Sequence, residues 1–466
     1  MQRDALPNTR LQALEALERR NDLFRFRIDG WSAWRVLRNP LHRMAAGLPL
    51  AQPMRSNGAR SLRALAATAK LLWLLLAGDR RELLVKTCRS GLRMSQGERF
   101  RDVYFDGLLE RGFSYLKLEE INSPDFERQA AAAVHRANLD PVVFTFWGRV
   151  LGQLWPVHSD DYCRQVASLL ADHVTLVVSP RWLRMRLSTV YWQARLYSLL
   201  LARTRPRAVL VSDTGEYALR IACHRRGVRF IELQHGVFDA QHPDAIPSWV
   251  QGAADELVLP DILACHGSFW IEQLATTRQG NGPAVAVGNE LIDLARERRR
   301  QRVPDGVFHL VLTTQGLDSE RLAYWMGEMV AAAPVTLDWR LSIKLHPVYD
   351  MATRAFDLLK ADFRVCVIGG AELPNVFDLL ADADLHLSIA SACHFDAAAL
   401  GVPSVIVPLS GHEAMLSAVD QAQIFFAATP MQVWAIAMAR PAEPERMHRF
   451  STPGFIDNLQ RLLALT

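Results

Sequence analysis

Three segments place ionisable or hydroxyl side chains where an apolar run stops, and together they could bind a phosphate and move a proton. Ala208 to Phe238 reads AVLVSDTGEYALRIACHRRGVRFIELQHGVF. One apolar run ends at Ser212-Asp213, a stretch of helical period runs from Glu216 to Arg226, and a second apolar run ends at Gln234-His235-Gly236. Histidine titrates near neutrality, and a carboxylate one strand away can orient it or act as the base itself. Asp213 and His235 are therefore the candidate proton-transfer groups, although a turn with an exposed imidazole is the plainer reading of His235. Glu232 lies inside the second run, where an unpaired carboxylate would be costly. It is either a third acid/base group or is held by an arginine or a helix N-terminus.

Ser342 to Pro347, SIKLHP, is an alternating strand that stops at a proline. Period-2 spacing puts Lys344 and His346 on one side of it, and a cation beside an imidazole suits a nucleotide phosphate or ribose. The chain has only five lysines, and one of them falls two residues from this histidine. A strand end capped by Pro347 is the bland alternative. Leu385 to Pro403, LHLSIASACHFDAAALGVP, offers an anion site. A strand is expected to end at Ser388, with Ser391 as the N-cap of a helix whose free amides, together with the two hydroxyls, attract phosphate. Asp396, within that helix, is placed to hydrogen-bond a ribose or sugar hydroxyl. The segment also makes sense as a plain β-turn-α unit.

Such ends converge only if the runs are strands of parallel sheets. From about residue 81, short β-branched runs alternate with helical stretches. The pattern predicts strands at 83–87, 115–118, 175–178, 208–212, 230–233, 262–265 and 285–287, then at 308–313, 340–345, 364–368, 385–388 and 404–407. The fold class expected is α/β: two doubly wound domains in tandem, binding ligands outside the carboxyl ends of their strands, with the cleft between them as the default site. Residues 1–80 read as a basic helical extension, 81–294 as the first domain and 307–445 as the second. The charged run ARERRRQRVPDG at 295–306 reads as a linker. Residues 446–466 carry a last helix after Pro453-Gly454. No P-loop or GxGxxG is present, which weakens kinase, ATPase and dehydrogenase readings.

Charge and composition narrow the class further. Residues 1–100 hold 19 Lys and Arg against 8 Asp and Glu, whereas the other 366 hold 34 against 41, so the whole basic excess of a chain with formal charge +4 is N-terminal. That excludes a uniformly basic nucleic-acid coat. Arg and Trp interleave in FRFRIDGWSAWRVLR (Phe24 to Arg38), but no RNA-binding signature accompanies them, and amphipathic packing is the better reading. The most membrane-like stretch, Ala64 to Gly78, is broken by Lys70. Its unbroken apolar part, Leu71 to Ala77, is far shorter than the ~20 residues of a span. It reads as a packed core helix or, flanked by Arg60, Arg63, Arg80 and Arg81 and carrying Trp73, as a helix on an anionic leaflet. There is no secretory signal pattern. Cys88, Cys163, Cys223, Cys265, Cys366 and Cys393 are dispersed without a CxxC pair, as in reduced cytoplasmic proteins. Three Cys-His dipeptides match no zinc spacing.

With those residues in view, a resemblance emerges. ELQHGV (Glu232 to Val237), Gly288-Asn289, Thr314-Gln315, KLHP (Lys344 to Pro347), and Ser388 and Ser391 with DAAALGVP resemble the bacterial surface-polysaccharide glycosyltransferases of the GT-B fold. They are most similar to the capsule and lipopolysaccharide enzymes using CMP-activated acidic sugars, the Kdo transferases and polysialyltransferases. The CDP-glycerol glycerophosphotransferases of teichoic acid synthesis are a more distant match. The resemblance spans about residues 81–440 in architecture, with few specific letters. The helix position commonly filled by Glu in GT-B enzymes is Asp396 here, and Asp213-Thr214-Gly215 only partly matches the acidic-acidic-Gly motif of the polysialyltransferases.

The resemblance implies two Rossmann-like domains, with the acceptor on the first and the nucleotide donor on the second. Donor contacts would come from Gly288, Asn289, Gln315, Lys344, His346, Pro347, Ser388, Ser391 and Asp396, and the base would be Asp213, His235 or Glu232. It implies a metal-independent glycosyltransferase of capsule or lipopolysaccharide synthesis with no cofactor. Its partners would be a nucleotide-sugar donor, such as CMP-linked Kdo or sialic acid, and a glycan or lipid-linked glycan acceptor, without nucleic acid. The N-terminal region would hold it at the inner, anionic face of the cytoplasmic membrane. A CDP-glycerol-type phosphoalditol transferase, a UDP-sugar 2-epimerase and a non-catalytic polysaccharide-assembly scaffold are the alternatives.

Overall fold

The computed structural model describes residues 5–47, 57–87, 93–96, 98–119, 131–316, 318–347, 350, 354–370, 372–419, 424–439 and 447–464. Apolar runs without polar alternation suit a sheet buried on both faces, and they pair here into two six-stranded sheets. The chain divides into two compact units: unit 1 is Met1–Cys265, Ile271–Val285 and Leu459–Thr466, and unit 2 is His266–Trp270 and Ala286–Asn458.

Unit 1 contains β1 (Leu83–Thr87), β2 (Tyr115–Glu119), β3 (Ala208–Val211), β4 (Arg229–Leu233), β5 (Ile262–Cys265) and β6 (Ala284–Ala286). Their spatial order is β6-β5-β4-β3-β1-β2, and the ladders from β2 across to β5 are parallel. Unit 2 contains β7 (Phe308–Thr313), β8 (Trp339–Lys344), β9 (Val365–Ile368), β10 (Leu385–Ser388), β11 (Ser404–Ile406) and β12 (Ile424–Phe426) in the order β9-β8-β7-β10-β11-β12, with all five ladders parallel. In each sheet the strand order reverses once, at β1/β3 and at β7/β10. These are the topological switch points at which doubly wound sheets bind ligands. The fold class is α/β, as expected.

The N-terminal helices are α1 (Ala5–Asn21), α2 (Ala33–Ala45) and α3 (Asn57–Ala77), followed in unit 1 by α4 (Val142–Leu154), α5 (Asp160–Val174), α6 (Pro180–Thr204) and α7 (Tyr217–Arg226). The described residues before 81 are not an appendage. Leu14, Leu17, Trp34, Val36, Leu37, Leu41, Leu71 and Leu74 belong to the same buried cluster as Leu84, Val209, Val211 and Phe230 of the sheet. Arg35, Arg38 and His42 of α2 enter the interior because each finds an acid. Arg38 Nε lies 2.7 Å from Glu18 Oε1, which also accepts from Trp34 Nε1 at 2.7 Å. His42 Nε2 stands 3.3 Å from the same oxygen. Burial alone would raise the Glu18 pKa, but Arg38 and His42 bring it down to about 2.

Three expectations change. Residues 175–178 are not a strand: α5 is capped by Thr175 in the left-handed region (φ 54°), and the segment after it has no ladder partner among the described residues, burying Leu176 and Val178 while Val177 is exposed. The charged run at 295–306 is helical to Gln301 within α8 (Glu290–Gln301), where Arg299 Nη1 donates to the Ala383 carbonyl at 2.8 Å and Arg302 pairs with Asp384 at 2.8 Å. These cations are therefore used in packing rather than in a solvated tether. A hairpin of Arg93–Gln96 with Arg99–Asp102 and the short edge strand β12 also carried too little apolar pattern to be expected. Unit 2 is completed by α9 (Ser319–Ala331), α10 (Val376–Asp382), α11 (Cys393–Ala399) and α12 (Pro430–Ala439), and the last helix, α13, is Phe455–Ala464. From Leu459 onward its residues cluster with unit 1. Five cysteines are free among the described residues; Cys88 lies outside them.

Because the folded Glu18 pKa (about 2) lies below its ordinary 4.5, the stability it contributes is complete above about pH 4.5 and is lost as pH falls toward 2. Glu18→Ala leaves Arg38 and Trp34 buried without their acceptor. It should cost on the order of 3 kcal/mol in urea unfolding at neutral pH and flatten the acid limb of the stability curve.

Candidate active site

The switch point of unit 1 is built by backbone and one ion pair. Ser212, following β3, donates its backbone N–H to the Lys86 carbonyl of β1 at 3.3 Å, and Lys86 Nζ pairs with Glu216 at the start of α7. Asp213 comes between them. It is partly exposed, and its Oδ1 accepts from Gly215 N at 3.2 Å, which shapes the turn into α7. On the next strand His235 follows β4 and is exposed. Gln234 beneath it is tied on both sides, its backbone N–H to Ala264 O at 2.9 Å and its Nε2 to Gly236 O at 2.8 Å.

The loop after His235 is fastened by α2. Arg35, Arg38 and Asn39 share one helical face by their i, i+3, i+4 spacing. Arg35 Nη1 bonds Asp244 Oδ1 at 2.6 Å with both side chains only 1% exposed, Asn39 Nδ2 donates to Asp244 Oδ2, and Arg38 Nη1 donates to Ala245 O at 2.9 Å. Tyr217 Oη donates to the same carboxylate, and Gln279 brackets the loop by donating to Asp244 O at 2.6 Å and accepting from Ile246 N at 2.9 Å. Burial would raise the Asp244 pKa, but Arg35, His242 and the tyrosine hydroxyl hold it well below the usual range. Asp244 N donates to His242 Nδ1 at 3.1 Å, so a neutral His242 carries its proton on Nε2.

Glu232 faces the interior. Its carboxylate pairs with Arg220, whose Nη1 also donates to Val258 O at 2.6 Å. Of the two alternatives for satisfying Glu232, an arginine is the one present. Burial pushes the Glu232 pKa up to about 7, with Arg220 offsetting part of the rise and Asp244 and Asp213 adding to it.

In unit 2 the strand ends are tied to one another. Gln315, after β7, spans the switch point: its Oε1 accepts from Ala390 N at 3.0 Å and its Nε2 donates to Ala390 O. Ser388 Oγ is buried and donates to Thr313 O at 2.8 Å. Asp350 is the hub of the neighbouring loops, accepting from Thr314 Oγ1, from Gly316 N at 2.6 Å and from Ser319 Oγ at 2.9 Å. Thr314 Oγ1 in turn accepts from His346 N at 2.9 Å, which fixes the backbone that presents the imidazole. His346 is half-buried, and burial lowers its pKa while Asp350 works the other way. Lys344 does not accompany it as a free cation. Its Nζ donates to Gly369 O at 2.8 Å and to Glu372 O at 2.5 Å, clamping the loop after β9. A Cβ on Gly370 would lie 2.3 Å from Pro347 Cα, so the backbones of the two loops touch.

Helix α11 is anchored by Phe395, whose ring packs 4.9 Å from Trp270 and 5.3 Å from Phe269, centroid to centroid. The helix begins at Cys393, and the Ser391 hydroxyl accepts from Cys393 N at 3.2 Å, the i+2 contact of a capping side chain. Asp396 is partly exposed, and burial without an offsetting cation pushes its carboxyl up to about 7. Below it runs a buried chain: Thr313 Oγ1 to His386 Nε2 at 2.9 Å, His386 Nδ1 to Ser404 Oγ at 2.7 Å, and Ser404 Oγ to His394 Nδ1 at 2.6 Å. Burial lowers both histidine pKa values, His394 to about 3, so the chain is uncharged near neutrality.

Gly288 and Asn289 have structural work. A Cβ at Gly288, where φ is 98°, would lie 2.1 Å from Thr452 O, and Asn289 Oδ1 caps α8 by accepting from Leu291 N at 2.9 Å. The strand ends thus bring Asp213 and His235 together on adjacent strands of unit 1, and Gln315, His346, Ser388 and Ser391 on one end of unit 2. Asp350, Asp244, Tyr217 and the His386–Ser404–His394 chain were missed. The one available signal was Asp350, an acid four residues past His346, but which loops it collects depends on tertiary contacts. Among the described residues, no group of three or more His, Cys, Asp and Glu side chains could hold a metal ion.

No protein-family model and no curated protein matches the chain. Among solved structures it is similar to the UDP-GlcNAc 2-epimerase from Neisseria meningitidis bound to UDP-GlcNAc, with 13% identity and a TM-score of 0.49, covering 82% of this chain and 99% of that one. It is also similar to the wall teichoic acid polymerase TagF, with 11% identity, TM-score 0.44 and coverage of 87% and 96%. A third likeness is the glycotransferase of kitacinnamycin, with 14% identity, TM-score 0.46 and coverage of 83% and 98%. Likeness at this level says nothing of substrate or reaction.

Two substitutions probe this geometry. Gly370→Ala must displace the His346-Pro347 backbone and should cost roughly 1–3 kcal/mol in denaturant unfolding. Asp396, with its folded pKa raised to about 7, favours the protonated native state, so stability falls as pH rises from about 4 through 7. Asp396→Asn should remove that slope and be at least as stable as the parent at alkaline pH.

Proposed function

We propose that this chain is a GT-B-like, metal-independent glycosyltransferase of surface-polysaccharide synthesis. It would take its sugar from a nucleotide donor, a CMP-linked acidic sugar by the letters of its motifs, and work at the inner face of the cytoplasmic membrane. The observation that carries the reading is the contrast between carboxylates at the end of the unit 1 sheet. Glu232 and Asp244 are buried against Arg220 and Arg35, whereas Asp213 and His235, on adjacent parallel strands, remain open to solvent.

In the proposed reaction the acceptor hydroxyl oxygen forms a bond to the anomeric carbon as that carbon's bond to the donor phosphate oxygen breaks. The bonding pair leaves with the nucleotide, and the hydroxyl proton passes to Asp213 or His235. Unit 2 would hold the nucleotide, with the partly exposed His346 and Asp396 as the side chains that would contact it. Gln315, Ser388 and Lys344 act as positioning residues, because their polar atoms are bonded to the loops that form the site. A phosphate arriving beside His346 would raise its pKa, so binding should take up a proton and tighten as pH falls from about 8 to 6.

Purified protein is to be incubated with CMP-, CDP-, UDP-, GDP- and dTDP-linked donors. Transfer or slow hydrolysis with one class, unaffected by EDTA, is expected. Asp213→Asn or His235→Ala should lower kcat by about 10²–10⁴-fold with binding retained, and His346→Ala should chiefly weaken nucleotide affinity. Acceptor-independent change at C2 of the sugar would instead mark an epimerase. Absence of turnover and of nucleotide binding with every donor would overturn the proposal.

A further inference from the structure

Helix α3 has a face that neither the core nor the proposed chemistry uses. Its inward residues Ala64, Ala67, Leu71 and Leu74 are buried, and Thr68 Oγ1 accepts from Trp147 Nε1 of α4 at 2.9 Å. On the other side Leu62, Leu65, Leu72, Trp73 and Leu76 are between 52% and 80% exposed. Ala66, Ala69 and Ala77 lie exposed among them, and Lys70 is the one charged residue of that face. The three-to-four-residue spacing makes a single stripe along the helix. Asn57–Ala77 contains Arg60, Lys70 and Arg63, the last paired with Asp140, but no acid, and Asp79 and Arg80 follow it.

A helix with one face packed in the core cannot cross a bilayer, and no helix among the described residues is long and apolar enough to do so. It can lie on one. We infer that α3 is a membrane-surface helix, sinking its leucine and tryptophan stripe into the acyl boundary of an anionic leaflet while Lys70 and Arg80 meet headgroup phosphates. Charge decides for lipid over a second copy: in a two-fold dimer the face would meet itself, bringing basic helices together with no acid in either. The inference deepens the membrane location proposed above, and it rests on residues outside the reaction.

The full chain, without donor or acceptor, is to be sedimented with vesicles of equal parts phosphatidylglycerol and phosphatidylcholine and with vesicles of phosphatidylcholine alone. Binding to the anionic vesicles that weakens with added salt is expected. Leu72→Glu with Leu76→Glu, both at exposed positions, should leave Tm unchanged and lower binding about tenfold or more; the milder Trp73→Ser should weaken it at the same Tm. No binding by the parent, unchanged binding by the folded double variant, or a concentration-dependent dimer that the double variant abolishes would each overturn the inference. Because no turnover is read, failure of the glycosyltransferase proposal would leave a positive vesicle result standing.

Discussion

A charge can be buried only beside its opposite, and this constraint organises unit 1. Removing an ion from water costs several kcal/mol, which is recovered only where geometry and additional hydrogen bonds are good. Arg35 with Asp244, Arg38 with Glu18, Arg220 with Glu232, and Lys117 with Asp102 and Asp106 all meet it, each inside or at the margin of the core. Two of the N-terminal cations, Arg35 and Arg38, thus have a use, and Arg35 is the partner that lets Asp244 of the later chain be buried.

The same constraint sorts structural carboxylates from chemical ones. Near the carboxyl end of the unit 1 sheet three acids lie close enough in sequence to be confused. Glu232 and Asp244 each face an arginine in the interior, and they hold strand β4 and the loop after it. Asp213 is partly exposed and accepts a hydrogen bond from Gly215 N of the turn it starts. Helix α2 reaches this site indirectly, because Arg35, Arg38 and Asn39 fix the loop that follows His235. An N-terminal segment that looked separate from the chemistry therefore positions it.

In unit 2 hydrogen bonding replaces ion pairing as the ordering device. Asp350 gathers Thr314, Gly316 and Ser319, and Gln315 bridges to Ala390 across the point where strand order reverses. The polar residues at these strand ends are largely bonded to one another. His346 and Asp396 lie among them partly exposed. Both have pKa values moved by burial toward the uncharged form, the state in which a group can still respond to an arriving phosphate or hydroxyl.

Read alone, the sequence determined the α/β class, most strands of both sheets and the positions of Asp213, His235 and His346 at strand ends, because apolar runs and their polar stops are local patterns. It could not separate a strand from the segment at 175–178, which has no ladder partner among the described residues. Nor could it show that the cations at 299 and 302 are bonded within unit 2 or that Lys344 bonds two carbonyls. Tertiary structure alone decided which acids are paired. Asp244 and Arg35 are 209 residues apart, and no local pattern reports a partner at that separation. Which of several strand-end carboxylates stays open to solvent is settled by where the distant arginines dock.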